Sequence, residues 1–344
     1  MGVLYVQTVN ALLSLEGGAL LNSAHSCTRY ITWLNGSDAH HNCVGGKGAS
    51  LAQLAVRKAP VPPAIAVTTR AYEQQARGLG IPSCASQVCD RDLESIRSSL
   101  QVAPIAESIR AEIATAVEAL KQTLPRDDSL AVRSSATAED SPEFSFAGLH
   151  DTVLDVFDID SLEQAVKMCW ASLWSDRAVS YRRSGDETLD SASMAVVIQQ
   201  LIRCDVSFVV FTADPIADRL EHLIITATYG LGEAVVSGLV TPDQIVITAN
   251  GEIDSYLIGE KEQMIIPSAR SGDGVRHVPV PRVMSTLPAL SSEQACLVGH
   301  VARDLDKSFG FPLDIEGGFA EGKLYLFQVR PITTLNGRTR VKHS

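Results

Sequence analysis

Between Leu130 and Gly148 the chain changes character within a few residues, and that change restricts what can surround it. Leu130, Ala131 and Val132 read as the end of a buried strand. Arg133 follows, and then small and hydroxylated residues take over: Ser134-Ser135-Ala136-Thr137-Ala138, running on through Pro142 to Phe146-Ala147-Gly148. No core needs that composition. A loop that offers backbone N–H groups and hydroxyls to an anion does, and Arg133 at its root adds a fixed, forked positive charge. The same residues also suit a surface loop after a strand, so this stretch alone leaves both readings open.

The rest of the chain narrows the setting. At 344 residues it is long enough for a large core and two subdomains. Hydrophobic residues at 45% and charged residues at 20% exclude wholesale disorder. A net charge of −11 without a Lys/Arg run excludes nucleic acid as the main partner, although a nucleotide pocket needs only two or three local cations. The seven cysteines are scattered and form no Cys-x-x-Cys pair, which predicts reduced thiols in a cytoplasmic protein and no zinc site. No window has the apolar length of a membrane span, and the opening residues lack the basic region of a signal peptide.

Residues 1–28 carry no clear period and read as an extension. A short strand is expected at Tyr30–Trp33. Glycines in Cys43-Val44-Gly45-Gly46-Lys47-Gly48 precede an apolar i, i+3, i+4 pattern, which predicts a loop opening a helix. This is not a Walker A loop, because His41 and Gly48 stand where that motif needs Gly and Ser or Thr. A Lys among glycines at a helix start still reaches a phosphate as a point charge, while an exposed Lys on a turn is the plainer alternative. Further helices are expected at Thr69–Arg77, Asp92–Leu100 and Ala106–Leu124. A long one, capped by Ser161 and Gln164, should reach Arg183. Residues 184–191 read as a break. Strands then dominate: Met194–Leu201, Val206–Ala213, His222–Tyr229, Gln244–Thr248 and Ile253–Ile258. A Gly-, Pro- and Ser-rich region covers about 267–289, a helix runs from Ser292 to Phe309 with a Gly310 stop, and a hairpin closes the chain. The predicted fold class is α+β. Residues 29–190 form a first subdomain, 191–336 a second with a cleft between them, and 337–344 a tail.

Three further constellations carry chemistry. In the closing strand Leu324–Arg330, strict alternation puts Leu324, Leu326, Gln328 and Arg330 on one face and Tyr325, Phe327 and Val329 on the other. Asp314 and Glu316 share a face on the partner strand. Glu316 opposite Gln328 would converge two oxygen ligands beside an Arg, a set suited to magnesium held jointly with phosphates. Those two share a face only with a bulge or an odd loop, and a left-handed Gly322 would permit a three-residue loop. A structural Glu316–Arg330 ion pair is the alternative. In Tyr229-Gly230-Leu231-Gly232-Glu233, the glycines allow close backbone approach and Glu233 is a candidate for the cleft. The strand ending in Gln199-Gln200 offers free backbone groups and an amide for a purine edge, or is simply an edge strand leaving the core.

Together, Val44–Leu51, Ala131–Gly148, Val196–Val206, Phe211–Pro215, Gly230–Asp243, Asp314–Glu316 and Gln328–Thr333 resemble, in order, the nucleotide-binding domain of the phosphoenolpyruvate-utilising dikinases, a family that includes phosphoenolpyruvate synthase, pyruvate phosphate dikinase and rifampicin phosphotransferase. The resemblance implies an ATP-grasp fold with ATP between two subdomains, and an enzyme that makes AMP and phosphate from ATP. It implies that Lys47 and Arg133 contact phosphates under a lid with Thr137 and Gly148 near them. It puts Gln199 and the backbone through Leu201 at adenine and Glu233 near the ribose or purine. Glu316 and Gln328 would hold magnesium, and Arg330 would stabilise the transferred phosphoryl group, in a reaction that rests on positioning and charge neutralisation.

The departures from the family pattern are Leu149 where Gln is usual, Phe208 where Gly is usual, and Gly317 where Trp is common. Phe208 is expected to narrow the cleft and Gly317 to loosen the metal strand. None of the eight histidines stands in the family's phosphohistidine motif. The acceptor is therefore expected to be a histidine on a separate domain or chain, or a small molecule. The reading from another class is a nucleotide-binding regulatory or partner subunit with weak or no turnover.

Overall fold

The computed structural model describes residues 27–36, 38–125, 128–138, 152–184, 190–214, 221–236, 238–268 and 274–332. Gly148, Leu149, the tail and nearly all of the N-terminal extension lie outside the described residues.

In chain order, β1 (Ile31–Trp33) leads to α1 (His41–Val56), β2 (Ala64–Val67), α2 (Thr69–Gly78), α3 (Leu93–Val102) and α4 (Glu107–Lys121). Then come β3 (Leu130–Ala136), β4 (Thr152–Val156), α5 (Ile159–Ser172), α6 (Asp176–Arg183) and β5 (Met194–Gln200). The second half holds β6 (Val206–Phe211), β7 (Leu223–Tyr229), α7 (Glu233–Val236), β8 (Asp243–Ile247), β9 (Ile253–Leu257), β10 (Gln263–Pro267), β11 (Val275–Pro279), α8 (Arg282–Ser285), α9 (Ser292–Phe309), β12 (Leu313–Ala320) and β13 (Lys323–Pro331). The class is mixed helix and sheet, as expected.

The strands make a five-stranded sheet ordered β1-β2-β5-β3-β4, a six-stranded sheet ordered β13-β12-β6-β7-β8-β9, and the pair β10-β11. Neighbours in both large sheets run antiparallel. β5 was expected to open the second half. It is instead the central strand of the first sheet, between β2 and β3. Its uninterrupted apolar run suits a strand covered on both faces. The chain therefore changes sheets at residues 201–205.

Alternation sorts the first sheet into two faces. Ile65, Val67, Val132, Val196 and Ile198 pack into a core with Ile109, Ile113, Leu162, Trp170 and Trp174 from the helices. Ala64, Ala66 and Val197 point the other way, into a small cluster with Val44, Leu51 and Ala52 of α1. In the second sheet Phe208, Val210, Ile315, Leu324, Leu326 and Val329 pack against Val298, Val301 and Ala302 of α9. That helix begins at a full Ser291/Gln294 capping box and stops at a left-handed Gly310. Its bounds match expectation because both ends are written locally.

Two local expectations fail for identifiable reasons. Ser161 and Gln164 do not form a capping box. Asp158 caps the helix three residues earlier, accepting from Ser161 N at 2.8 Å, because an aspartate with an apolar residue after it competes well for that role. The helix also does not continue to Arg183: Ser175 caps a separate α6. β11 lies inside the expected Gly/Pro/Ser-rich region and pairs with β10, which ends where that region begins; their five register pairs are carried by Met264, Ile265, Ile266 and Val278 among others. The flanking turn residues obscured so short a pattern. Among the described residues no helix is long and apolar enough to cross a membrane.

Candidate functional site

The site forms where β3 of the first sheet faces the β12–β13 hairpin of the second. On β3, Ala131, Arg133 and Ser135 lie on the α1 side, opposite Gln199, Val197 and Ala195 of β5. Ser135 staples α1 to this face: its hydroxyl donates to Val44 O at 2.7 Å and accepts from Gly48 N at 3.1 Å. Gly45 makes the staple possible. It breaks the helix with φ at 68° and ψ at −178°, and a Cβ there would lie 2.0 Å from Ser135 O. Only glycine meets both demands. The helical turn after the break begins with Gly46 and Lys47, so the glycine-rich stretch does open a helix, and Lys47 sits half-buried in its first turn.

The hairpin supplies the other wall. Its turn is Glu321-Gly322, both left-handed with φ of 51° and 73°, and Ala320 pairs with Lys323. This is a two-residue turn, not the three-residue loop expected. The facing is corrected by a β-bulge: Gly317 pairs with Leu326 but Glu316 pairs with Gln328, leaving Phe327 as the extra residue. Strict alternation along β13 therefore fails. Leu324, Leu326 and Val329 all face the core, each 2% exposed, while Gln328 and Arg330 stand opposite Glu316 and Asp314. The convergence of Glu316 and Gln328 demanded a bulge or odd loop, and the bulge provides it.

Arg133 closes this pair. One guanidinium nitrogen, Nη2, donates to Glu316 Oε2 at 3.1 Å and to Gln328 Oε1 at 2.9 Å, and Nη1 reaches Phe327 O at 3.4 Å. The Arg133 side chain is 14% exposed and that of Glu316 23%. Arg133 Nε is buried with no hydrogen-bond partner. The expected alternative, a Glu316–Arg330 pair, is not formed. Arg330 instead grips Asp314, with Nε at 2.8 Å and Nη2 at 2.7 Å from Oδ2. Asp314 is 4% exposed. Burial pushes its carboxyl above the ordinary aspartate range, against the pull of Arg330, and the nearby Glu316 adds to the rise. Asp314 as the partner of Arg330 was missed; its place two residues before Glu316 on the same face was the signal.

Two oxygens aimed at one nitrogen are a test of metal fit. Glu316 Oε2 and Gln328 Oε1 already converge on a single cationic point. Among the described residues no cluster of three or more His, Cys, Asp or Glu side chains is placed to hold a metal. The two oxygens fit a hard divalent ion whose remaining ligands come from phosphate and water.

The other candidates have these surroundings. Gln199 is 2% exposed and its Nε2 is buried without a hydrogen-bond partner. Beside it, Leu201 packs with Ala131, Leu231, Ala234 and Ile265 in a small apolar cluster, and Leu201 N donates to Ser129 O at 2.9 Å. Gly230, with φ at 76°, lets the chain touch β10, since a Cβ there would lie 2.4 Å from Ile265 O. Glu233 opens α7 and is exposed. Thr137 is engaged with Ser193: its hydroxyl accepts from Ser193 N at 3.0 Å and its own N–H donates to Ser193 O at 3.0 Å. It anchors the root of the Ser-rich stretch, most of which lies outside the described residues.

Phe208 does not narrow the cleft. It is 2% exposed on the core face, and Gly317 is its register partner. A Cβ on Gly317 would lie 2.5 Å from Phe208 Cζ, so the ring fills the space that a side chain at Gly317 would need. The two departures are one compensated exchange on the side away from Glu316.

A buried charged network in the second half was missed at the sequence level. Asp243 accepts from the Lys261 ammonium, from Gly259 N at 2.9 Å and from Ala289 N at 2.6 Å, and both charged side chains are fully buried. Such a pair survives in the interior because its hydrogen bonds are also met.

Comparison with known proteins identifies the family. A family described as "Pyruvate phosphate dikinase, AMP/ATP-binding domain" matches residues 41–344. "Phosphoenolpyruvate synthase" of Pyrococcus furiosus is 34% identical over 361 residues, covering 89% of this chain and 44% of that protein. "Probable phosphoenolpyruvate synthase" of Methanocaldococcus jannaschii is 34% identical, over 91% of this chain and 27% of that protein. "Rifampicin phosphotransferase" of Streptomyces sviceus is 37% identical, over 85% of this chain and 34% of that protein. The chain thus spans less than half the length of each of these relatives. The chain belongs to the pyruvate phosphate dikinase AMP/ATP-binding domain family.

Proposed function

We propose that the chain is an ATP-dependent phosphotransferase of the dikinase type with an ATP-grasp fold, binding ATP between its two large sheets and converting it to AMP and phosphate. The observation that carries this reading is the hairpin: a carboxylate and an amide oxygen meet at one point, flanked by Arg330 and capped by Arg133. Four groups of that kind suit phosphoryl transfer, where positioning and charge neutralisation supply most of the catalysis. Glu316 and Gln328 would hold Mg2+, which when bound neutralises phosphate charge. Lys47 and Arg133 hold the phosphates, and Arg330 meets charge that develops on the group being transferred. Gln199 turns its unsatisfied amide toward the purine, the apolar cluster around Leu201 takes the purine's flat face, and Glu233 stands at the ribose side. Thr137, at the root of the Ser-rich stretch, would stand near the phosphates, and Gly148 lies outside the described residues.

The acceptor is a histidine on a separate domain or chain, or a small molecule. The chain's span of its relatives supports this, since each is more than twice as long as the part matched. All seven cysteines are free, which supports a cytoplasmic setting. The absence of the phosphohistidine motif, together with Phe208 and Gly317, favoured a partner without turnover; Phe208 and Gly317 lie together on the core face, away from the hairpin's polar groups.

The test is the product. ATP incubated with the protein, Mg2+ and candidate acceptors should give AMP; ADP alone would make it an ordinary kinase, and neither product with any acceptor or phosphohistidine domain would overturn the proposal. Arg330→Ala should lower the rate of phosphoryl transfer by 100-fold or more, on the order seen when one charge-stabilising group is removed, with a much smaller effect on ATP affinity. An unchanged rate would remove Arg330 from the reaction.

A further inference from the structure

Arg133 occupies the point on which the proposed metal ligands converge. Its Nη2 takes hydrogen bonds to both Glu316 Oε2 and Gln328 Oε1. A guanidinium and a divalent cation cannot share that point, because both are drawn to the same two oxygens and repel each other. The bulge at Phe327 sets Glu316 and Gln328 opposite each other on the two strands. A carboxylate held at 23% exposure needs a counter-charge, and the first sheet delivers one from β3. The fit is incomplete on the Arg133 side, where Nε is buried without a partner. The guanidinium therefore has a donor to gain by moving onto an anion rich in acceptors.

We propose that Arg133 is a built-in stand-in cation, which keeps Glu316 and Gln328 closed to divalent metal until nucleotide phosphates draw the guanidinium away. Metal and nucleotide then enter together, because each removes an obstacle to the other: the phosphates release Arg133 from the oxygens, and the vacated oxygens complete the coordination that phosphate begins. A free divalent cation finds the site shut. The same bonds clasp β3 of one sheet to β12 and β13 of the other, so the exchange also changes what holds the two sheets together. The inference rests on the reading of Glu316 and Gln328 as the metal pair, and the experiment separates the two.

The probe is Mn2+, followed by the loss of the free-ion EPR signal on titration into the full chain, with and without a non-hydrolysable ATP analogue. The wild-type protein should bind Mn2+ weakly alone and tightly with the analogue. Arg133→Met should bind Mn2+ alone more tightly by on the order of 10-fold, the scale of one charge-assisted hydrogen bond, and adding Glu316→Gln should cancel that gain. Arg133→Lys keeps a cation without the fork, so affinities for Mn2+ alone should run Met above Lys above wild type. Should Arg133→Met fail to fold, the comparison of Lys with wild type carries the same test. Equal affinities across the series would overturn the inference, while Glu316→Gln abolishing analogue-dependent Mn2+ binding would leave the metal pair intact. If Glu316→Gln changes nothing even with the analogue, the metal reading fails and the inference falls with it.

Discussion

Asp314 is the residue whose environment is least balanced. It is buried, gripped by Arg330 through one oxygen, and its Oδ1 has no hydrogen-bond partner. Desolvation outweighs the guanidinium and holds its carboxyl above the 3.8 of an unperturbed aspartate. The folded protein therefore holds this proton more tightly than the unfolded chain. The group's contribution to stability is greatest below pH 3.8 and is lost as pH rises through the raised folded value. Asp314→Asn should remove that dependence, so that the stability difference between variant and wild type shifts in the variant's favour from pH 4 upward. Denaturant titrations at several pH values measure it; a constant difference would mean that Arg330 offsets the desolvation and leaves the carboxyl unshifted, and a difference moving in the wild type's favour as pH rises would mean that Arg330 outweighs it. At this scale the sequence is legible where chemistry is local. The strand facing of Asp314, Glu316 and Arg330 puts all three together, but which carboxylate takes which arginine depends on Arg133, 183 residues before Glu316. Nothing in the spacing of the hairpin announces that visitor.

Among the elements, the β12–β13 hairpin shows what alternation can and cannot supply. A period of two predicts facing only while the ladder is regular, and the extra residue at Phe327 resets it, sending Val329 to the core and leaving Gln328 and Arg330 on the other side. The α9 helix was legible to the residue because its capping box and its glycine stop are written at its ends. β10 and β11 were not, because their support is the contact of Gly230 with Ile265, made across the fold. The β6–β12 pairing carries its own prediction. Phe208→Ala should cost about 3–5 kcal/mol as a large buried ring is lost. Gly317→Ala should also destabilise, since its Cβ would meet Phe208 at 2.5 Å and Tyr325 O at 2.6 Å. The double variant should be less destabilised than the sum by about 0.5–3 kcal/mol, because the smaller residue at 208 relieves one of those two contacts. Additive losses in chemical denaturation would mean that the two positions do not share space.

At the scale of the whole molecule, two antiparallel sheets are joined through Arg133 to Glu316 and Gln328, and the residues of the site are divided between them. The order of motifs along the chain revealed the family, since each short stretch is a local instruction. The division of labour between sheets was harder to see, because β5 crosses the midpoint of the chain to serve the first. A ligand that bridges both sheets should stabilise the whole. With ATP analogue and Mg2+ present at about 100 times their Kd, unfolding should become harder by about 2.7 kcal/mol, read as a rise in Tm of a few degrees. The rise should be lost in Lys47→Ala and in Glu316→Gln. If nucleotide and Mg2+ leave the wild-type Tm unmoved, the cleft is not their binding place.

β13, which carries Gln328 and Arg330, is the outermost strand of its sheet. Its free side is not left to solvent: Leu326 N donates to Pro60 O at 2.9 Å, in the segment that follows α1. A bare outer strand invites pairing with a stray strand from another chain. The segment after α1 thus acts as a guard rail for the working strand, and any shortened version that lacks it would present that strand to its neighbours as an adhesive edge.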